Sequence, residues 1–384
     1  MEAPPTYDLG RVPRTLVGTS ALASLGEALE ALDGSAVVVI ADRGVEACGY
    51  VRRVLDALQS RTTTVHLVPW GEPTLESVDA AAQVVRGASD PIVVGVGGGS
   101  ALDIAKQAAV VGTGSSGVEP YLLCAAPLPG RRPIVAIPTT SGTGAEVTRT
   151  CIVADRSGRK LWTWGDEMLP DVVVLDPMAA ATMPVAVTVG TGLDAFVHAV
   201  EACSAQRRNS IATAAAQRSM SLVMMHLPRV VADGGDLPSR QAMQEAAFLA
   251  GIAIDNCGTG VAHSIGHALG SLYHVPHGIS VATGLRAALE WNVSGAPEAY
   301  ADASAALGCR VDEVPAMFAT LCNSSGMAAA MVGLEATMSV HEIAATMNAI
   351  ENQPMLNNNA RAISETDRGT LAERTVEMWH LLRS

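Results

Sequence analysis

The sequence predicts a chain in two parts: an α/β N-terminal domain with a Rossmann-like, largely parallel sheet, followed by an all-α C-terminal domain. Three observations predict it. Short β-branched runs alternate with helix-spaced segments as far as Leu175, one of those runs ends in glycines that open a helix, and beyond Pro184 no convincing strand pattern remains. The change of pattern falls between residues 177 and 184, dividing the 384 residues into domains 1–180 and 181–384. A chain this long is too large for one simple core, so two domains are expected on length as well.

The elements follow in order. Residues 21–32 have helical spacing and stop at Asp33-Gly34. Ala36-Val-Val-Val-Ile-Ala41 lacks polar alternation, as expected of a strand covered on both faces, and closes on Asp42. Residues 45–58 read as one helix, 62–68 as a strand, 74–87 as a helix, and Pro91-Ile-Val-Val-Gly-Val96 as a strand. Pro133-Ile-Val-Ala-Ile137 and Val172-Val-Val-Leu175 complete the expected sheet. In the second half, helices are expected at about 191–203, 209–232, 240–255 and 261–272, with more before residue 384.

Composition narrows the function classes. With 49% hydrophobic and 16% charged residues, the chain is globular rather than disordered. The formal charge of −13 argues against a nucleic-acid partner. No apolar run reaches the roughly 18–20 residues needed to span a bilayer, so no membrane partner is expected. Met1-Glu-Ala-Pro-Pro-Thr-Tyr-Asp8 lacks the basic and apolar regions of a signal peptide, and seven dispersed cysteines show no CxxC pair; both point to the cytoplasm. Of 25 basic residues only Lys106 and Lys160 are lysines, which suggests positions that need a compact ammonium.

Gly95-Val-Gly97-Gly98-Gly99-Ser100 leaves a buried strand and opens a helix, an arrangement that lets backbone N–H groups approach a pyrophosphate. Ser100 and Asp103 also read as a capping box of that helix, which needs no ligand. Asp42, at the end of an earlier strand, stands where a carboxylate accepts hydrogen bonds from an adenosine ribose and disfavours a 2′-phosphate, which leans toward NAD(H) over NADP(H). An ordinary turn residue explains it equally well. Pro138-Thr-Thr-Ser-Gly-Thr-Gly-Ala-Glu146 is a second polar, flexible loop after a strand.

Four of nine histidines lie in Val261-Ala-His263-Ser-Ile-Gly-His267-Ala-Leu-Gly-Ser-Leu-Tyr-His274-Val-Pro-His277. His263 and His267 share a helix face, and His277 is expected in a turn stiffened by Pro276. Asp194 and His198 form another i, i+4 pair in an apolar helix, where a carboxylate needs a partner. Asp194, His198, one of His263 and His267, and His277 would suit iron(II) or zinc, with a coordination position left for substrate oxygen. One histidine is then spare for proton relay. His274 has no assigned role.

These motifs resemble those of the iron-containing (group III) alcohol dehydrogenases. The likeness rests on Gly97-Gly-Gly-Ser-Ala-Leu-Asp-Ile-Ala-Lys106, the 138–146 loop, Pro170-Asp-Val-Val-Val-Leu-Asp-Pro177, Gly192-Leu-Asp-Ala-Phe-Val-His-Ala-Val-Glu201 and the histidine stretch. The resemblance implies the architecture shared by dehydroquinate synthase and this family, with NAD(P) on the first domain and the ion between the two. It implies Asp194, His198, His263 and His277 as ligands, with His267 unligated near the nicotinamide. It also implies Thr139, Thr140 and Thr143 as part of the cofactor loop and Lys160 as a cleft-facing lysine; with Asp42, Gly97, Gly98, Gly99, Ser100 and Asp103, read from the strand end, the glycine-rich loop and the helix it opens, these make up the expected cofactor site.

The expected reaction is hydride transfer between nicotinamide and a small alcohol or aldehyde bound to Fe(II), in a homo-oligomer (dimer). Three other readings are an aldehyde reductase for an anionic substrate such as a phosphonoaldehyde, a dehydroquinate synthase-like lyase, and a non-catalytic assembly subunit. Leu285-Arg-Ala-Ala-Leu-Glu-Trp-Asn292 and Asn359-Ala-Arg361 depart from the family pattern, and the first is expected to reshape the pocket wall.

Overall fold

The computed structural model describes residues 6–59 and 61–383. The reading of the first residues as lacking a signal peptide falls mainly on residues 1–5, outside them.

Among the described residues, eight strands all precede residue 176: β1 (Arg14–Val17), β2 (Ala36–Asp42), β3 (Thr62–Val68), β4 (Pro91–Gly97), β5 (Ile134–Pro138), β6 (Thr150–Ala154), β7 (Lys160–Trp164) and β8 (Val172–Leu175). Six form a parallel sheet in the order β1-β8-β5-β4-β2-β3. Between them run α1 (Leu25–Glu30), α2 (Arg43–Ala47), α3 (Tyr50–Leu58), α4 (Leu75–Gly87) and α5 (Gly99–Val111). The unbroken apolar composition of β2 follows from burial on both faces. Val37, Val39 and Ala41 enter one core cluster, Val38 and Ile40 the other.

The strand edges refine the sequence reading. β1 was not expected; it forms the sheet edge against β8, in register from Arg14 with Val172. The single helix expected at 45–58 is two, α2 and α3, because Gly49 takes a left-handed φ of 82° between them. The antiparallel pair β6–β7 was also missed, since two five-residue strands of mixed polarity around Asp155–Gly158 carry little periodic signal.

After α6 (Pro177–Ala180) the chain is helical: α7 (Val185–Ser204), α8 (Ser210–Ala232), α9 (Leu237–Cys257), α10 (Val261–Tyr273) and α11 (His277–Gly295), with further helices to Arg383. No strand occurs here among the described residues. His277 is therefore the first residue of a helix rather than part of a turn, and Pro276 is its N-cap. The expectation about apolar length is corrected too: α7 is long and apolar enough to cross a membrane by composition, with a mean hydropathy of 1.2. It is 78% buried inside the protein, as a core helix would be.

One face of α9 ties the halves together. Gln244 donates to the carbonyls of Pro138 (3.3 Å) and Asp176 (3.1 Å). Gly251 lies against Gly144 so closely that a Cβ there would sit 2.9 Å from its Cα. Asp255 accepts from the Arg149 N–H at 2.7 Å and its Nε at 2.9 Å. These positions are seven and four residues apart, the spacing of one helical face. The 138–149 loop is thereby fastened to the helical half.

Candidate metal centre and cofactor cleft

Two loops meet at the C-terminal edge of the sheet. β4 and β5 are neighbours with Gly97 opposite Pro138, and Thr139 N–H donates to the Gly97 carbonyl at 2.9 Å. The chain reverses its direction of strand addition between β2 and β4, the position where open α/β sheets form a binding crevice. The glycines are required by crowding. A Cβ on Gly97 would lie 2.6 Å from Ala101 Cβ and 2.7 Å from Asp42 Oδ2; one on Gly99 would lie 2.7 Å from Thr143 Oγ1. A Cβ on Gly98 would meet Thr140 Cγ2 at 3.1 Å. Asp42, Gly97, Gly98, Gly99, Thr139, Thr140 and Thr143 are thus brought together at the C-terminal edge of the sheet, with Ser100 on the first turn of α5.

The capping-box expectation for Ser100 and Asp103 is corrected. Helix α5 begins at Gly99 with Gly98 as N-cap, and no side chain caps it. Ser100 is already helical, and Asp103 is buried, its Oδ2 accepting the Ile152 N–H of the missed hairpin at 2.8 Å. Asp42 does act as a cap, accepting the Val45 N–H of α2 at 2.8 Å, so the turn-residue reading holds for one of its oxygens.

Lys106 explains its own identity. Its ammonium donates to the carbonyls of Ala145 (2.8 Å), Thr148 (2.8 Å) and Thr150 (3.1 Å), and is 1% exposed. Three diverging N–H bonds from one atom suit an ammonium and not a planar guanidinium. The clamp shapes the end of the 138–149 loop. Lys106→Met leaves those carbonyls without their donor and is expected to cost about 3 kcal/mol or more, measured by chemical denaturation, with no rescue by Lys106→Arg.

The histidines converge on one oxygen. Asp194 Oδ1 lies 3.8 Å from His198 Nδ1, 3.6 Å from His263 Nε2 and 3.7 Å from His277 Nε2. Metal bonds of about 2.0–2.2 Å at tetrahedral angles put donors about 3.3–3.6 Å apart, so the arrangement is a few tenths of an ångström from a ligand set. Donor atoms of Asp194, His263 and His277 lie mutually within 4.8 Å, and His198 joins through the carboxylate. Asp194 Oδ1, His198 Nδ1 and His263 Nε2 are buried without any hydrogen-bond partner. Buried polar atoms left unpaired side by side, of a kind that ligates, fit a divalent ion.

The electrostatics agree. Burial would raise the pKa of Asp194, yet His198, His277 and His263 hold it well below the usual carboxylate range. Burial pushes His198 and His277 down to about 4 despite Asp194, leaving neutral rings with free lone pairs. His263 moves the other way: burial opposes, but Glu201 and Asp194 raise it to about 9.

His267 stands one turn above His263, and an Asn352 amide selects its tautomer. Asn352 Nδ2 donates to the Thr346 carbonyl at 2.8 Å, which turns Oδ1 toward His267 Nδ1 at 3.2 Å. An amide oxygen only accepts, so Nδ1 carries the proton and Nε2 the lone pair. Burial, Lys160 and His277 keep the ring's pKa well below its ordinary value. His267, Lys160, Ser271, Thr346 and Asn352 line a cavity of about 360 Å³. Lys160 pairs with Glu72 at 2.7 Å, and its Nζ would lie 3.1 Å from a Cβ on Gly270. His274 is exposed, in left-handed conformation at the end of α10.

Sequence reasoning missed three contributors. Glu201 accepts from His263 Nδ1 at 2.5 Å; its position seven residues after Asp194 on the same helix was the available signal. Glu72 and Asn352 come from segments with no motif. The 285–292 stretch lies within α11 (His277–Gly295). Arg286 lies near Cys322, while Asn292 exchanges hydrogen bonds with Asn359 at 2.8 and 3.2 Å and Arg361 donates to the Trp291 carbonyl at 2.8 Å. The two departures from the family pattern pack on each other.

Comparison with known proteins accords with this geometry. Residues 13–177 match the model for iron-containing alcohol dehydrogenase, and residues 188–374 that for the C-terminal part of the Fe-containing alcohol dehydrogenase family. The chain belongs to the iron-containing alcohol dehydrogenase family. It is 33% identical over 301 residues to 1,3-propanediol dehydrogenase of Klebsiella pneumoniae, covering 76% of each chain. It is 28% identical over 299 residues to the NAD-dependent methanol dehydrogenase of Bacillus methanolicus, covering 77% of this chain and 78% of that one. A crystal structure of 1,3-propanediol oxidoreductase superposes with a TM-score of 0.84 at 28% identity, covering 97% of this chain and 100% of the other. The protein is an oxidoreductase of the alcohol dehydrogenase class; the lyase, anionic-aldehyde and assembly-subunit readings are not favoured by these relatives.

Proposed function

We propose that the protein is an Fe(II)-dependent, NAD(H)-linked dehydrogenase that interconverts a small alcohol and its aldehyde between domains 1–180 and 181–384. The observation that carries the metal reading is the convergence of three imidazole nitrogens on Asp194 Oδ1, all within 3.8 Å. Asp194, His198, His263 and His277 would hold the ion, which supplies Lewis-acid polarisation of the substrate oxygen.

The remaining chemistry belongs to the chain. Gly97, Gly98, Gly99 and Ser100 offer backbone N–H groups to a pyrophosphate at the start of α5, and Thr139, Thr140 and Thr143 supply hydroxyls from the adjoining loop. Asp42 Oδ2, beside Gly97, supports an unphosphorylated ribose and so NAD(H). The name of the methanol-oxidising relative points the same way. His267 presents the Nε2 lone pair at the cavity, where it takes the proton of the alcohol in the oxidative direction. Lys160 and Glu72 set the polarity of the cavity mouth.

The test is a panel of small aldehydes with NADH and NADPH, on protein reconstituted with Fe(II), with Zn(II) or without metal. Turnover that requires metal and is faster with NADH is expected. Equal rates without metal would refute the metal role, and a preference for NADPH would refute the role given to Asp42.

A further inference from the structure

The structure assigns to Glu201 a role as the positioning residue of the metal centre: it holds the ring of His263 in the one tautomer and orientation that present Nε2 to the ion. The inference rests on the metal reading above and concerns a residue outside the ligand set.

Glu201 lies on α7, seven residues after Asp194 and three after His198, so all three share a helix face. It is 6% exposed, and both of its oxygens are committed. Oε2 is 2.5 Å from His263 Nδ1. Oε1 accepts the Ala262 N–H at 2.7 Å. A carboxylate oxygen can only accept, so Nδ1 of His263 carries a proton, and Nε2 is the nitrogen turned toward Asp194 Oδ1, 3.6 Å away, the one an ion would take.

The second bond makes this a rigid arrangement. Helix α10 opens at Val261 with Gly260 as N-cap, and no N-cap side chain satisfies its first amides. Glu201 does so from another helix, placing a negative group at the positive end of α10. Gly260 is needed for this approach, since a Cβ there would lie 3.0 Å from Glu201 Oε1. Asn359 completes the fastening from the far end of the chain, its Oδ1 accepting the Val261 N–H at 3.4 Å. The carboxylate therefore fixes both the helix that carries His263 and the ring itself.

Charge supports the same role. Asp194 and Glu201 together bring two negative charges to an apolar helical core, and a divalent ion with three neutral imidazoles neutralises both. A carboxylate hydrogen-bonded to a ligating imidazole also makes that imidazole a better donor.

The test titrates apo wild-type, Glu201→Gln and Glu201→Asp proteins with Zn(II) and Co(II) against a competing chelator, alongside the thermal midpoints of the apo proteins and the Co(II) absorption spectrum. Glu201→Gln is expected to bind metal about 10–100-fold more weakly, with an altered Co(II) spectrum and a folded apo state. A residue with a purely structural role would shift the apo midpoint and leave affinity and spectrum alone. Wild-type affinity and spectrum in Glu201→Gln would overturn the assignment. If Glu201→Gln does not fold, Glu201→Asp decides: it keeps the charge but cannot span both partners, so unchanged affinity overturns the proposal and weakened affinity upholds it. Failure of the wild-type protein to bind either ion would instead remove the metal reading itself, and this inference with it.

Discussion

His263→Ala is expected to abolish metal retention and to lower turnover by at least about a thousandfold, well beyond the 10–100-fold loss of affinity typical of a change behind the ligands. The side chain occupies the middle of the site. Its Nε2 faces Asp194 Oδ1 at 3.6 Å, its Nδ1 is held by Glu201 at 2.5 Å, and its ring stacks on His198 with centroids 4.4 Å apart. Removing it takes a donor from the ion and the partner from one oxygen of Glu201. The unpaired acceptor adds a stability loss of about 1–3 kcal/mol in the apo protein. Metal analysis after reconstitution, a thermal melt and aldehyde reduction on the same preparation measure all three effects. A metal-free variant with full activity would sink the assignment.

His267→Ala is expected to separate binding from chemistry. The variant should retain its metal and lose about 10²–10³-fold in turnover, the range a positioned acid–base group contributes. His267 bonds to none of the four proposed ligands; its ring centroid lies 6.0 Å from that of His277, and its own hydrogen bond runs to Asn352. Burial and the Lys160 ammonium hold its pKa well below the ordinary value, so the ring is neutral and its Nε2 carries a lone pair. Metal content equal to wild type with slowed turnover is the expected pair of results. Loss of metal would make His267 a ligand, and unchanged turnover would leave it without a role in the reaction.

Much of the fold was legible because it is encoded locally. The β-branched run at residues 36–41, helical spacing and glycines after β4 each act within a few residues, and the sheet follows from them. The β6–β7 hairpin and β1 were not legible. Their short strands are stabilised by what they meet: Asp103 bonding Ile152 in one case, and β8 in the other. The capping box failed for a similar reason. Ser100 and Asp103 have the right spacing, but the helix starts at Gly99, and the buried carboxylate finds a better partner across the fold.

The chain by itself determined which residue types could build the centre. Asp194 with His198, and His263 with His267, are i, i+4 pairs on apolar helices, and that spacing places each pair on one face whatever surrounds it. It could not decide which member of the second pair faces the first. The two differ by about one helical turn, roughly 5.4–6 Å of rise, several times the tolerance of a metal bond, and the answer depends on how α10 docks against α7 and α11. Tertiary structure settles the geometry through Glu201, which draws His263 to Asp194, and through Asn352, which draws His267 to the cavity instead. Those partners lie 62 and 85 residues from the rings they hold, beyond the reach of any local pattern.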